Sequence, residues 1–282
     1  GEAALSNWDA GMDMYIYGKL GNLTMTKEGI NVLMTNLTGK VPPILQRLDY
    51  IRFNGEAAGY LHDLTLTGLF HTGAGMVKTD VMMSIDEQSM SRTYSGSVAS
   101  ADLDLGKLLN QEKKFGKVDF NVELKGFNYK NRYPESYIKG IISSFEYSQY
   151  QYENIMLDGV YKDGGFNGRL SMDDANGSVQ IDGNFNVAKT IPDFNLKASV
   201  KNLRPHDLHL SDKYENASIS LGLTADFTGK SIDDMNGRIS LDSLQLNAPD
   251  EGGCFLDNLT ITAGQVSGEK ELRINSSFMT AV

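Results

Sequence analysis

Val118-Asp-Phe-Asn-Val-Glu-Leu-Lys125 alternates apolar and polar residues without a break. Successive strand side chains point to opposite faces, so Val118, Phe120, Val122 and Leu124 share one face. Asp119, Asn121, Glu123 and Lys125 take the other. The same one-sided pattern returns at Val179/Ile181/Phe185/Val187, Phe194/Leu196/Ala198/Val200, Ile219/Leu221/Leu223/Ala225/Phe227 and Ile239/Leu241. A chain written this way is all-β and mostly antiparallel.

Three stretches restate one phrase: Leu61-His-Asp-Leu-Thr-Leu-Thr-Gly68, Tyr152-Glu-Asn-Ile-Met-Leu-Asp-Gly159 and Leu256-Asp-Asn-Leu-Thr-Ile-Thr-Ala263. Each has a large apolar residue, a polar pair that is expected to turn the chain, then an alternating strand. Glycine turns are expected after them, at Thr72-Gly73-Ala74-Gly75, Asp163-Gly164-Gly165 and Ser267-Gly268-Glu269. Asn54-Gly55, Asn167-Gly168, Asn176-Gly177, Asn236-Gly237, Asp158-Gly159, Asp163-Gly164 and Asp182-Gly183 are all read as tight hairpin turns, because these pairs tolerate positive φ. Repeated hairpins make long surfaces rather than compact catalytic pockets.

Helix is expected at two places, Lys40–Tyr50, with early prolines, and Leu105–Asn110. A loop around Pro134 divides the chain into two similar β-repeat segments, 1–133 and 134–282, continuous with each other. So little helix cannot cover so many one-sided strands, and the sheet must curl into an open U-shaped trough, a β-sandwich or a barrel. All three read as alternation, so periodicity leaves the choice open.

A net charge of −10 and the lack of a basic patch argue against nucleic acid as a partner. The single cysteine, Cys254, can form no internal disulfide and is read as a small buried or turn residue. No leader peptide and no long apolar run is visible, and the sequence reads as a fragment of a longer chain.

Two segments carry a family resemblance. Tyr147-Ser-Gln-Tyr-Gln-Tyr-Glu-Asn-Ile-Met-Leu-Asp-Gly159, continued to Gly177, and Phe227-Thr-Gly-Lys-Ser-Ile-Asp-Asp-Met-Asn-Gly-Arg-Ile-Ser-Leu-Asp-Ser-Leu244 resemble the repeat wording of the AsmA-like proteins. They are most similar to the TamB-type translocation and assembly proteins of Bacteroidetes. Ala101-Asp-Leu-Asp-Leu-Gly-Lys-Leu-Leu109 and Lys117-Val-Asp-Phe-Asn-Val-Glu-Leu-Lys-Gly126 are similar to it too, and the likeness runs from about residue 55 to the end. The resemblance implies a curled sheet (a β-taco) with an apolar inside. It further implies an inner-membrane anchor outside this fragment and a periplasmic span towards the outer membrane. The implied roles are phospholipid transport and, for some members, assembly of outer-membrane β-barrel proteins.

The expected function is therefore non-enzymatic, with no cofactor and no metal. Val118, Phe120, Val122, Leu124, Val179, Ile181, Phe185, Ile219, Leu221, Leu223 and Ile239 are the candidate lining of a lipid groove, against which phospholipid acyl chains rest. A second reading is a sheet edge that pairs with an outer-membrane β-barrel strand. A third is carbohydrate binding, for which a cluster at Phe145, Tyr147, Tyr150 and Tyr152 and the carboxylate pairs Asp173-Asp174 and Asp233-Asp234 are the only support. Those rings are read as cross-strand packing, the Asp pairs as turn residues, and His206 and His209 as a polar loop without a third ligand at metal spacing.

Overall fold

A computed structural model of the chain describes residues 1–7, 13–86, 88–89, 91–128, 135–213, 215–231, 233–249, 252–266, 269–277 and 280–281. The protein is all-β, and its strands run antiparallel to the neighbours they pair with. It divides into two compact units, Gly1–Tyr152 and Glu153–Val282. Asn131–Pro134 and Ser267-Gly268, where a boundary loop and a turn are expected, lie outside the described residues.

The first unit holds β1 (Glu2–Ser6), β2 (Tyr15–Thr26), β3 (Tyr50–Tyr60), β4 (Asp63–Thr72), β5 (Gly75–Ile85), β6 (Arg92–Ala101), β7 (Leu103–Asp104), β8 (Phe115–Asn128) and β9 (Glu135–Tyr147). They form an open meander in which β8 pairs with β6, β7 and β9. Helix α1 (Lys27–Thr38) joins β2 to β3, and α2 (Leu105–Leu109) follows β7. The hydroxyl of Thr26 caps α1 by accepting from the Gly29 N–H at 3.4 Å. Gly39, at φ +74°, closes it by donating its N–H to the Thr35 carbonyl. The Asp104 carboxylate caps α2 from the Lys107 N–H at 2.8 Å.

These helices cover one end of the sheet. Ile30, Leu48, Ile51, Ala74, Leu103, Leu108 and Val118 form a buried cluster, with Phe70, Val77, Phe120 and Phe145 packed against it. The expected helix over Lys40–Tyr50 is only a 3-10 turn, Leu45–Arg47, because Leu48 is already extended and β3 starts at Tyr50. The guanidinium of Arg47 donates to the Leu108 carbonyl, tying this turn to α2.

The second unit is a plain meander of β10 (Tyr150–Lys162), β11 (Gly165–Asp174), β12 (Gly177–Asn186), β13 (Asp193–Leu203), β14 (Ser218–Thr228), β15 (Asn236–Ala248), β16 (Gly252–Val266), β17 (Glu269–Ser276) and β18 (Thr280–Ala281). Each pairs with its predecessor. No helix is present among its described residues.

Four of the seven Asx-Gly pairs are not turns. Asn54-Gly55, Asp158-Gly159, Asn167-Gly168 and Asp182-Gly183 lie inside β3, β10, β11 and β12. Asn236-Gly237 opens β15, which leaves Asp163-Gly164 and Asn176-Gly177 at turns. Among the polar pairs of the repeated phrase, His62-Asp63 is at a turn only through His62, which with Leu61 joins β3 to β4, while Asp63 already opens β4. Glu153-Asn154 and Asp257-Asn258 stay within β10 and β16, with Asn154 at φ +53°. A strand interior can use the same conformational freedom as a turn, for a bend or a close backbone approach. Cys254 is exposed on β16, not buried and not in a turn.

Candidate apolar binding face

The pairing register aligns apolar residues into rows that run across the strands. In the second unit, Leu157, Leu170, Ile181, Ala198, Leu223, Leu241 and Leu259 face one another in succession over β10 to β16. A parallel row is aromatic: Tyr161, Phe166, Phe185, Phe194 and Phe227. Between them runs Gly159, Gly168, Gly183, Leu196, Ala225, Ile239 and Ile261. The first unit has an equivalent row at Ala57, Leu66, Val81, Gly96, Leu124 and Ile138. One residue of register slip would send each row to the other face, so an uninterrupted row across many strands is a strong constraint on the sheet.

Among the described residues of the second unit every strand belongs to the one meander and no helix covers this face. Of the residues in its three rows, only Gly159 and the small Ala225 are buried; Tyr161 is exposed and the other large ones are half-buried. In the first unit the cover is local. Ile51 and Phe53 are buried near the helices, whereas Leu66, Val81 and Leu124 further along the strands are half-buried. Polar residues take the opposite face, where Arg169 donates from Nη2 to Asp182 at 3.0 Å and Thr67 donates to Asp80 at 3.0 Å.

The interior glycines crease the apolar face. A Cβ at Gly183 would lie 2.5 Å from the Leu196 Cα, and one at Gly159 only 2.9 Å from the Gly168 Cα. Gly183 has φ +142°, a conformation that other residues rarely adopt. The inner substituent therefore points at the neighbouring strand, which is how a strand coils sharply enough to hollow one face of its sheet. Aromatic rings lie over the gaps. The Phe166 ring tip comes within 2.5 Å of where a Gly159 Cβ would stand, and the Phe53 ring covers Gly55 and Gly68 in the first unit.

The predicted lining residues fall as follows. Val118 is buried in the helix-covered cluster and Phe120 packs against it. Val122 and Leu124 stand half-buried on the open part of the first unit's face. Val179, Ile181 and Phe185 on β12, Ile219, Leu221 and Leu223 on β14, and Ile239 on β15 are half-buried on one face of the second unit. Sequence alternation missed Tyr161, Phe166, Leu170 and Leu157, which complete the rows from β10 and β11. Their spacing is itself alternating, but the glycines between them hid the period.

A hollow of about 570 Å³ opens at one end of this face in the second unit. The Phe194 and Phe227 rings, stacked at 4.8 Å, line it together with Val187, Pro192, Met235 and Ile239. Lys230 and Ser231 stand at its polar side. Two connections form its walls, 187–192 between β12 and β13, and 229–235 between β14 and β15. They are joined by the Gly229 N–H donating to the Pro192 carbonyl at 2.9 Å. The backbone N–H groups of Lys230 and Ser231 donate to the Asp234 carboxylate at 2.9 and 2.6 Å. These bonds hold that carboxyl below its ordinary range.

The remaining candidate clusters have structural explanations. Asp173-Asp174 is not in the turn but ends β11, where the Asp174 carboxylate accepts from the Glu153 and Asn176 N–H groups at 3.1 and 2.9 Å. Phe115, Phe145, Tyr147, Tyr150 and Tyr152 pack on one another at 4.8 to 6.4 Å, and Tyr152 is buried. His206 and His209 lie in the β13–β14 connection around the fully buried Leu208. Among the described residues no group of three His, Cys, Asp or Glu side chains is placed to hold a metal ion. No described helix is long and apolar enough to cross a membrane. Comparison of the chain with protein-family models, curated proteins and solved structures gives no match.

Proposed function

We propose that this chain is a non-enzymatic, periplasmic segment of a TamB/AsmA-like protein. It holds phospholipid acyl chains on the apolar face of its sheet as lipid passes between the inner and outer membranes. The observation that carries this reading is the set of uncovered apolar rows, above all Leu157 to Leu259. An apolar face left bare over seven strands costs free energy in water unless something occupies it. Each methylene moved from water onto such a face gains about 0.8 kcal/mol. That attraction has no preferred direction, so a chain is held and still free to slide along a row.

The test is to purify the chain without detergent and extract it for phospholipid, with photocrosslinkers at Leu223 and Ile181 on the rows and at Thr224 on the opposite face. Lipid crosslinked from the row positions alone is the expected result. Equal crosslinking from Thr224, or a lipid-free protein, overturns the reading.

A second reading rests on β17, which pairs with β18 only at Ile274 and Asn275. Among the described residues no strand pairs with its outer edge over 271–273, where an incoming strand from an outer-membrane β-barrel protein would add. A proline at Arg273 abolishes such pairing and leaves lipid binding intact.

A further inference from the structure

The hollow at the end of the second unit differs from the rows it adjoins. The rows are open and uncharged, whereas the hollow has walls and a single ionisable lining residue, Lys230. Its volume of about 570 Å³ lies within the ~300–1,000 Å³ of small-molecule sites. If a methylene takes the ~30 Å³ of a water molecule, that volume matches one acyl chain of about eighteen carbons.

The charges at the rim are not equivalent. Lys189 is paired with Asp193 at 2.8 Å, while Lys230 has no ion-pair partner among the described residues. The nearest candidate, Asp234, is already engaged by the N–H groups of Lys230 and Ser231 and by the Ser231 hydroxyl. These bonds tie Lys230 and Ser231 to Asp234 beside the hollow, whose lining includes the exposed Lys230 and the buried Met235. Behind the mouth, Phe194 and Phe227 continue the aromatic row towards Phe185 and Phe166.

We propose that this hollow seats one single-chain fatty-acid anion, its carboxylate on Lys230 and its chain running over the Phe194–Phe227 pair. This rests on the reading that the apolar face binds acyl chains, and it assigns the hollow an occupant different in class from a two-chain phospholipid. The carboxylate meets a cation that has no ion-pair partner among the described residues. Neutral amphiphiles gain the chain contacts alone.

The experiment titrates the full chain with oleate, and separately with monoolein as the neutral amphiphile of the same chain, each displacing an uncharged apolar dye. Oleate is expected to bind more tightly than monoolein. Lys230→Gln weakens oleate about threefold and Lys230→Glu about tenfold, the scale of an exposed ion pair lost and then reversed. Both variants leave monoolein unchanged. Val187→Glu, at a wall position 62% exposed, weakens both amphiphiles without disturbing the core. Equal affinity for oleate and monoolein, or an oleate affinity indifferent to Lys230→Glu, overturns the proposal. If wild type retains phospholipid on Leu223 and Ile181 but takes up no oleate, the seat is refuted and the lipid face stands. If it takes up neither, both fall.

Discussion

Gly183→Ala should destabilise the second unit, although a glycine inside a strand is ordinarily a weakness. Replacing such a glycine by alanine usually helps by about 0.5–1 kcal/mol, because alanine loses less backbone freedom on folding. At Gly183 the sign inverts for two reasons. Its φ of +142° is a conformation reserved for glycine, and holding another residue there costs about 1–3 kcal/mol. The new methyl would also stand 2.5 Å from the Leu196 Cα on β13, so backbone rather than a flexible side chain must move. Overpacking of that kind costs a further ~1–3 kcal/mol. Together the loss is roughly 2–6 kcal/mol, which lowers the thermal midpoint of a unit this size by about 8–25 °C.

Gly222 on β14 is the internal control. A Cβ there meets nothing nearer than the Asp242 carbonyl oxygen at 3.5 Å, and its φ is not among the positive ones. Gly222→Ala should be neutral or stabilising by up to ~1 kcal/mol. The assay is urea unfolding of the whole chain, read by hydrogen exchange of peptides from residues 153–282 so that the two units are scored separately. Equal stability of the Gly183→Ala and Gly222→Ala variants would refute the crease, and with it the physical reason for a hollowed face.

Three further outcomes are expected. Leu223→Glu places a charge in the middle of the longest row and should abolish phospholipid co-purification, while Thr224→Glu, exposed on the opposite face, should leave it unchanged. Ile30, 2% exposed under α1, anchors the helical cover of the first unit, so Ile30→Ala should cost about 2–4 kcal/mol in urea unfolding, with residues 153–282 unaffected. The Asp234 carboxyl is held below its ordinary 3.8 first by the backbone N–H of Lys230, then by that of Ser231. Its contribution is therefore present above the ordinary value and lost as pH falls through the depressed one, so amide exchange of 229–235, corrected for intrinsic rate, should rise only in strong acid and should already be raised near pH 5 in Asp234→Ala.

Fold class was legible because alternation is a direct image of the pleat. Val118 to Lys125 places four apolar residues on one side, and β8 keeps that division. What the sequence could not give was the use of its glycines. Asp182-Gly183 and Asn54-Gly55 carry the local chemistry of a hairpin turn and sit mid-strand, because the same tolerance for unusual φ serves a crease. Only the register separates the two: a turn ends the pairing, whereas Gly183 is paired on both sides, with Gly168 and Leu196. Helix α1 was legible in principle, with Thr26, Glu28 and Gly39 marking its ends, but its apolar face is narrow and, among its described side chains, only Ile30 is buried. The hollow around Phe194 was not legible, since its walls come from two connections brought together by one backbone hydrogen bond between Gly229 and Pro192.

The direction of the rows bears on what the face can do. Along a strand, residues on one face repeat about every 6.8 Å, with turns at the ends. Across strands the step is only about 4.8 Å, and it continues as long as strands are added. The row from Leu157 to Leu259 crosses seven strands, so its six steps cover about 29 Å, comparable to the ~30 Å hydrocarbon thickness of a bilayer. An acyl chain laid across the strands meets a near-equal apolar contact at each step and never a turn. Laid along a strand it would soon reach charged connections such as Asp163 or Lys189. Under the proposed function, transport over such a face runs perpendicular to the strands, and an added hairpin would lengthen the path without altering its chemistry. The crease serves this geometry, since glycine at Gly159, Gly168 and Gly183 hollows the face where β10 to β12 pair while the outer row of Arg169 and Asp182 stays in water.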